Sequence, residues 1–167
     1  NEANKYNISG VIRGSLENVL SRYKNLAEIT NAKFIVRVTG DNPFTDSKGI
    51  INLLKNLNFQ KTVYLRHAEN ELPIGYHSEL FSTNTLFKEF NNTQLGFEHV
   101  THEIRKIYYK NKNLSLGYNF NKQKIKELSC TVDTIRDYKK ALKISASLDS
   151  INDFKLIGLT NIIHKKI

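Results

Sequence analysis

Two aspartates, Asp41 in "RVTGDNPFTD" and Asp133 in "LSCTVDTIRD", each directly follow a run of strand-forming residues. A carboxylate at a strand tip is a hard oxygen donor. Magnesium takes one or two such donors and fills its remaining positions with water and phosphate oxygens. If both strands lie near the middle of one sheet, the pair converges on one crevice and makes a magnesium seat. The same residues also have plainer uses. Asp41 can form an Asx-type turn before Pro43, and Asp133 can cap the helix it precedes. Spacing alone leaves both readings open.

Other residues offer less. His99 and His102 in "EHVTHE" are three apart on an expected helix, a spacing that could bind zinc. No further ligand follows in a recognisable pattern, so a place on the helix surface is expected instead. Cys130 has no basic neighbour in sequence and reads as a buried structural thiol. Neither a Ser-His-Asp order nor a G-x-S-x-G elbow is present. His67 and Glu79 flank a P-x-G loop and could face a substrate or be solvated. Arg22, on an amphipathic helix, reads as a structural partner.

The elements that must position these residues alternate between two periods. "SLENVLSRYKNLAEI" (15–29) puts Leu16, Val19, Leu20, Tyr23, Leu26 and Ala27 on one helical face, with Ser15 as the expected N-cap. "AKFIVRVT" (32–39) and "KTVYLRH" (61–67) read as strands, and between them "DSKGIINLLKNL" (46–57) reads as a helix capped by Asp46 or Ser47. A polar loop (68–76) leads to a short strand, "HSELFS" (77–82), then a helix around "NTLFKEFN" and another over 96–110. Short strands at "LSLGYNF" and "ELSCTV" flank the basic "NKQKIK"; "TIRDYKKALKISASL" is a helix, and "SINDFKLIGLTNIIHKK" is a last one. Strands alternating with helices predict an α/β fold with a mostly parallel sheet, in which ligands sit outside the carboxyl ends of the strands.

The chain has 167 residues, 40% of them hydrophobic and 25% charged, which suits one folded domain rather than a disordered segment. The net charge of +9 suits a phosphate-bearing partner. Its lysines are scattered, with no basic stripe interleaved with aromatics, so nucleic acid is not expected. No apolar run is long enough to cross a bilayer. A single cysteine favours a reducing compartment, and a cytoplasmic location is expected.

Five blocks, "VIRGSLENVLSRY", "IVRVTGDNPFTD", "PIGYHSELFS", "FEHVTHEI" and "TVDTIRDYKKAL", stand in the order found in the cytidylyltransferase-like family. Together they span 11–142. The chain resembles the CMP-sugar synthetases of that family, and its spore-coat polysaccharide branch most. The resemblance implies a nucleotide-diphospho-sugar transferase-like fold, a three-layer α/β/α sandwich. It implies a reaction in which a sugar hydroxyl attacks the α-phosphorus of CTP and pyrophosphate leaves, with Mg2+ as cofactor. By matching position, Asp41 and Asp133 would be the magnesium ligands, and Arg37 would meet a phosphate or a sugar carboxylate. Glu79, Glu98 and His99 would lie toward the substrate.

Two departures qualify this expectation. Relatives begin with a strand and an arginine-rich loop that cradles the triphosphate, and "NEANKYNISG" has no arginine. The chain therefore reads as the carboxyl-terminal portion of an enzyme, truncated at its amino end and inactive alone. His77 also stands where relatives often have an acidic residue. Two rivals remain: a GT-A-type glycosyltransferase using a nucleotide sugar, and a non-catalytic interaction module whose sheet edge pairs with another chain, as in a homodimer.

Overall fold

The structure, a computed structural model, describes residues 5, 8–68, 72–109, 114 and 129–146. Among them, three short strands form one sheet: β1 (Phe34–Arg37), β2 (Tyr64–Arg66) and β3 (Glu79–Ser82), in the order β1-β3-β2. The Ser82 N–H donates to the Val63 carbonyl and the Thr83 N–H to the Lys33 carbonyl. The end of β3 thus meets the beginnings of both neighbours, so β3 runs antiparallel to each.

This corrects the expected mostly parallel sheet. The β1–α2–β2 passage has the helical crossover that parallel strands need, but β3 is reached through a loop. It enters reversed, between the other two. Among the described residues, parallel pairing is confined to the isolated bridges His67–Leu114 and Ile74–Ser129.

The chain divides into two compact units. The first comprises Asn1–Ile35, Thr62–Tyr64 and Phe81–Lys110. Its helix α1 (Val19–Thr30) starts later than expected, because Asn18 is the cap and accepts from the Ser21 N–H at 3.0 Å. The Ser15 hydroxyl instead accepts from the Asn18 N–H and holds the approach to the helix. The helix stops at Asn31, whose left-handed backbone (φ 49°) asparagine tolerates better than most residues. Leu20, Ala27, Ile35, Tyr64, Phe81, Leu86, Val100 and Ile104 make the buried core of this unit.

The expected helix over 96–110 is two: α3 (Gln94–Glu98) and α4 (His102–Tyr108). Val100 and Ile104 are both buried, as their helical spacing suggested, but Val100 lies in the turn between the two helices. The helix expected around "NTLFKEFN" is a pair of 3₁₀ turns, Thr83–Phe87 and Glu89–Asn91, separated by an extended Lys88.

The second unit comprises Val36–Lys61, Leu65–Leu80 and Asn111–Ile167. Helix α2 (Ser47–Lys55) is capped by the buried Asp46, which accepts from the Lys48 N–H at 2.9 Å, and it buries Leu53 completely. Helix α5 (Ile135–Ser145) opens with a capping box in which Thr134 and Asp137 bond reciprocally, and it buries Ile144. Phe44, Leu65, Leu72, Tyr76 and Leu80 are also buried here. The expected strand at 114–120, apart from Leu114, the basic segment 121–126 and the last helix at 150–166 lie outside the described residues.

Candidate functional site

The turn after β1 shows what Asp41 does not do. The Asn42 N–H donates to the Thr39 carbonyl at 3.1 Å, the Asn42 amide to the Thr39 hydroxyl at 2.7 Å, and the Thr45 N–H to the Asn42 carbonyl at 3.3 Å. Thr39 and Asn42 therefore make this turn, and the Asp41 side chain is left exposed. Asp133 has also lost its plainer role, because the cap of α5 is Thr134 and the reciprocal acid is Asp137. The Thr134 hydroxyl holds the Asp137 carboxyl below the usual carboxylate range. Asp133 stands one residue outside the helix, exposed. No described residue hydrogen-bonds to the carboxylate of either Asp41 or Asp133.

One main-chain contact joins the two positions. The Val132 N–H donates to the Asp41 carbonyl at 2.8 Å, which puts the residue before Asp133 against the backbone of Asp41. The same segment is held at its other end by the Cys130 N–H, bonded to the Ile74 carbonyl at 2.9 Å. Gly75 makes this approach possible. Its φ is +92°, and a Cβ there would sit 2.8 Å from the Cys130 carbonyl carbon and from the Thr131 nitrogen. The P-x-G loop is therefore the seat on which the Asp133 segment rests.

Two oxygen donors suffice for magnesium when phosphate and water complete the shell. Exposed carboxylates with no competing hydrogen bond fit that ion. They do not fit zinc, which wants four close nitrogen or sulfur ligands in structural sites. Among the described residues there is no group of three or more His, Cys, Asp or Glu that could hold a metal. His99 is more than half exposed beside Glu98 at 3.9 Å, and His102 sits 4.0 Å from Glu103. Glu98 and His99 belong to the first unit, whereas Asp41, Asp133, Arg37 and Glu79 belong to the second.

Strand alternation sorts the polar residues next to this corner. The register places Arg37 on β1 and Arg66 on β2 either side of Glu79 on β3, and His77 lies two residues before Glu79. The Arg37 Nη1 donates to Glu79 Oε2 at 2.8 Å, a cross-strand ion pair in which the Glu79 side chain is only 7% exposed. Neither His67 nor Glu79 is solvated: both are buried, and the His67 Nε2 faces the Asn52 Oδ1 at 3.2 Å. His77 is pushed down to about 4 by burial and then by the positive charges of Arg66 and His67; Glu79 and the Leu72 carbonyl oppose the shift. Its ring is neutral at neutral pH.

Below the corner, burial raises the Cys130 thiol, against the opposing contact of the Tyr76 hydroxyl. Burial, with Cys130 and Asp46 nearby, raises the Tyr76 hydroxyl well above its ordinary range. Both groups are buried, and burial favours the neutral thiol of Cys130 over the thiolate. Arg66, which sequence reasoning passed over, lies close enough to His77 for its charge to act on the ring.

A family model described as Cytidylyltransferase matches residues 7–161, and the chain belongs to that family. It is 34% identical over 151 residues to Uncharacterized protein MJ1063 of Methanocaldococcus jannaschii, covering 85% of this chain and 58% of that protein. It is 30% identical over 159 residues to Spore coat polysaccharide biosynthesis protein SpsF of Bacillus subtilis, covering 90% of this chain and 64% of that protein. The chain thus spans about three fifths of the length of these relatives. Among solved structures it is similar to a cytidylyltransferase from Leptospira borgpetersenii serovar Hardjo-bovis. The TM-score is 0.73 at 26% identity, over 98% of this chain and 68% of that one. No helix among the described residues is long and apolar enough to cross a membrane.

Proposed function

We propose that this chain is part of a nucleotidyltransferase of surface-polysaccharide synthesis, whose full-length form moves CMP from CTP to a sugar or sugar acid. The observation that supports this reading is the main-chain tie from Val132 to Asp41, which sets the residue before Asp133 against the backbone of Asp41 in a chain of this family. The name of the Bacillus relative supports the polysaccharide context, and the likeness to the Leptospira cytidylyltransferase supports an α/β fold. The sugar hydroxyl oxygen forms a bond to the α-phosphorus, the bond from that phosphorus to pyrophosphate breaks, and the hydroxyl proton passes to solvent. Asp41 and Asp133 would hold magnesium, which supplies charge neutralisation at the phosphates when bound. Arg37 presents its guanidinium from the neighbouring strand end toward an anionic part of the substrate.

The test is an assay of the full-length protein with magnesium, CTP and a panel of sugars. Pyrophosphate release that requires both CTP and one sugar is the expected result. Consumption of a nucleotide sugar with no pyrophosphate would replace this reading with the glycosyltransferase one.

A further inference from the structure

We propose that Lys140 is a positioning residue for the magnesium seat: by tying helix α5 back to the Ser129 carbonyl, it fixes where Asp133 stands relative to Asp41. This rests on the nucleotidyltransferase reading for the metal and the reaction, while the tie itself is a matter of geometry.

Asp133 stands at a joint. Before it runs the segment 129–132, held where the Cys130 N–H donates to the Ile74 carbonyl and the Val132 N–H to the Asp41 carbonyl. After it comes α5, whose capping acid Asp137 takes the Thr134 N–H at 2.9 Å and draws on the Asp133 N–H as well. Each side of the joint is thus fixed within itself. Neither set of bonds fixes the direction of the helix relative to the segment, and that direction decides where the exposed Asp133 carboxylate stands.

The Lys140 Nζ supplies that constraint. It donates to the Ser129 carbonyl at 3.0 Å, eleven residues back, and closes a ring that runs through the segment, Asp133 and the first turns of the helix. A charged donor on a peptide carbonyl is among the stronger hydrogen bonds. Lys139 and Lys143 on the same helix are exposed, whereas Lys140 is half-buried. Its charge acts on the Cys130 thiol in the segment and on the Asp137 carboxylate in the helix, as a group bridging the two must. Charge alone argues against a lysine here, because it repels a cation held nearby. Its removal would therefore tighten cation binding if charge were its whole contribution, and weaken it if the contribution is position.

The test titrates manganese(II), which shares magnesium's preference for oxygen ligands and is visible by electron paramagnetic resonance, into the full-length protein with CTP present. Lys140→Met should weaken manganese about tenfold, the lower end of the losses that follow removal of an outer support of a metal site. Lys140→Arg should restore binding to within about twofold, since the carbonyl needs only one donor. Lys139→Met, exposed one position away, should leave binding unchanged. In the Asp133→Asn background Lys140→Met should add no further loss, because Lys140 acts through Asp133. Thermal unfolding reports whether each variant folds. Should Lys140→Met fail to fold, Lys140→Gln, with a shorter side chain, takes its place under the same expectation. Unchanged or tighter manganese binding in folded Lys140→Met or Lys140→Gln overturns the proposal, as does an equal loss in the Asp133→Asn background. Manganese binding that Asp133→Asn itself leaves unchanged removes the metal seat, and the proposal with it. If manganese follows the expected pattern while pyrophosphate is never released, the positioning role stands and the nucleotidyltransferase reading falls.

Discussion

The three strands each contribute to both units, and their chemistry differs between them. In the first unit β1, β2 and β3 supply Ile35, Tyr64 and Phe81, all buried in an apolar core. Two residues along the same strands, in the second unit, stand Arg37, Arg66 and Glu79. Identical backbone geometry and identical parity thus present a hydrophobic set in one unit and a charged set in the other. A core needs only apolar side chains of suitable volume. A half-buried charged set costs desolvation that apolar residues would avoid, so this end of the sheet contributes less to stability than the apolar end.

Substitutions can separate the two regions. The largest effect is expected at the aspartate corner. Asp41→Asn and Asp133→Asn in the full-length protein should each lower magnesium-dependent pyrophosphate release about a hundredfold or more, the loss of several kcal/mol of charge stabilisation. Melting temperatures should barely move, because neither carboxylate bonds to a described residue. Near-normal turnover in either variant would remove that residue from the metal site. The opposite signature belongs to the apolar core. Ile104→Ala, at a fully buried position, should cost about 2–5 kcal/mol in denaturant unfolding, with magnesium dependence unchanged in the folded fraction.

Gly75→Ala probes the seat under the Asp133 segment. Its positive φ and the close approach of Cys130 and Thr131 should cost about 1–3 kcal/mol and also reduce turnover, whereas a loss of stability alone would show that the seat does not align the corner. The His77 contribution has a definite sign. The folded chain holds this ring near 4 against an ordinary 6.5, so between those values the unfolded chain takes up a proton that the folded chain refuses. Stability should therefore fall as pH drops from 6.5 toward 4, and His77→Gln should flatten melting temperature against pH across that window. The smallest effect is expected at Thr134→Ala, about 1 kcal/mol through loss of the α5 cap, read by chemical denaturation.

Much of this arrangement was legible in the sequence, and the exceptions have physical causes. The β1 and β2 strands and α2 announced themselves through β-branched runs and the Asp46 cap. Helix α1 did too, but its start was misplaced because Ser15 and Asn18 are both good caps and only contacts choose between them. Val100 and Ile104 carry helical spacing across a break, since burial on one side can be met by two short helices as well as by one. The reversal of β3 was invisible, because pairing direction is set by long-range contacts. At the corner, sequence pointed to Asp41 and Asp133 but could not decide against turn and cap. In the structure Thr39, Asn42 and Thr134 occupy those plainer roles, and neither carboxylate bonds to a described residue. The Arg37–Glu79 partnership spans 42 positions and could not be read from local pattern.

The link between Val132 and Asp41 is made by peptide groups alone. No side-chain replacement at either aspartate deletes it, so the scaffold is indifferent to whether its acids are present. Copies of this domain that lose their acids by mutation should keep the same architecture. An asparagine version would then be an isostructural twin of the unsubstituted chain, in which any change of behaviour traces to the missing charges alone.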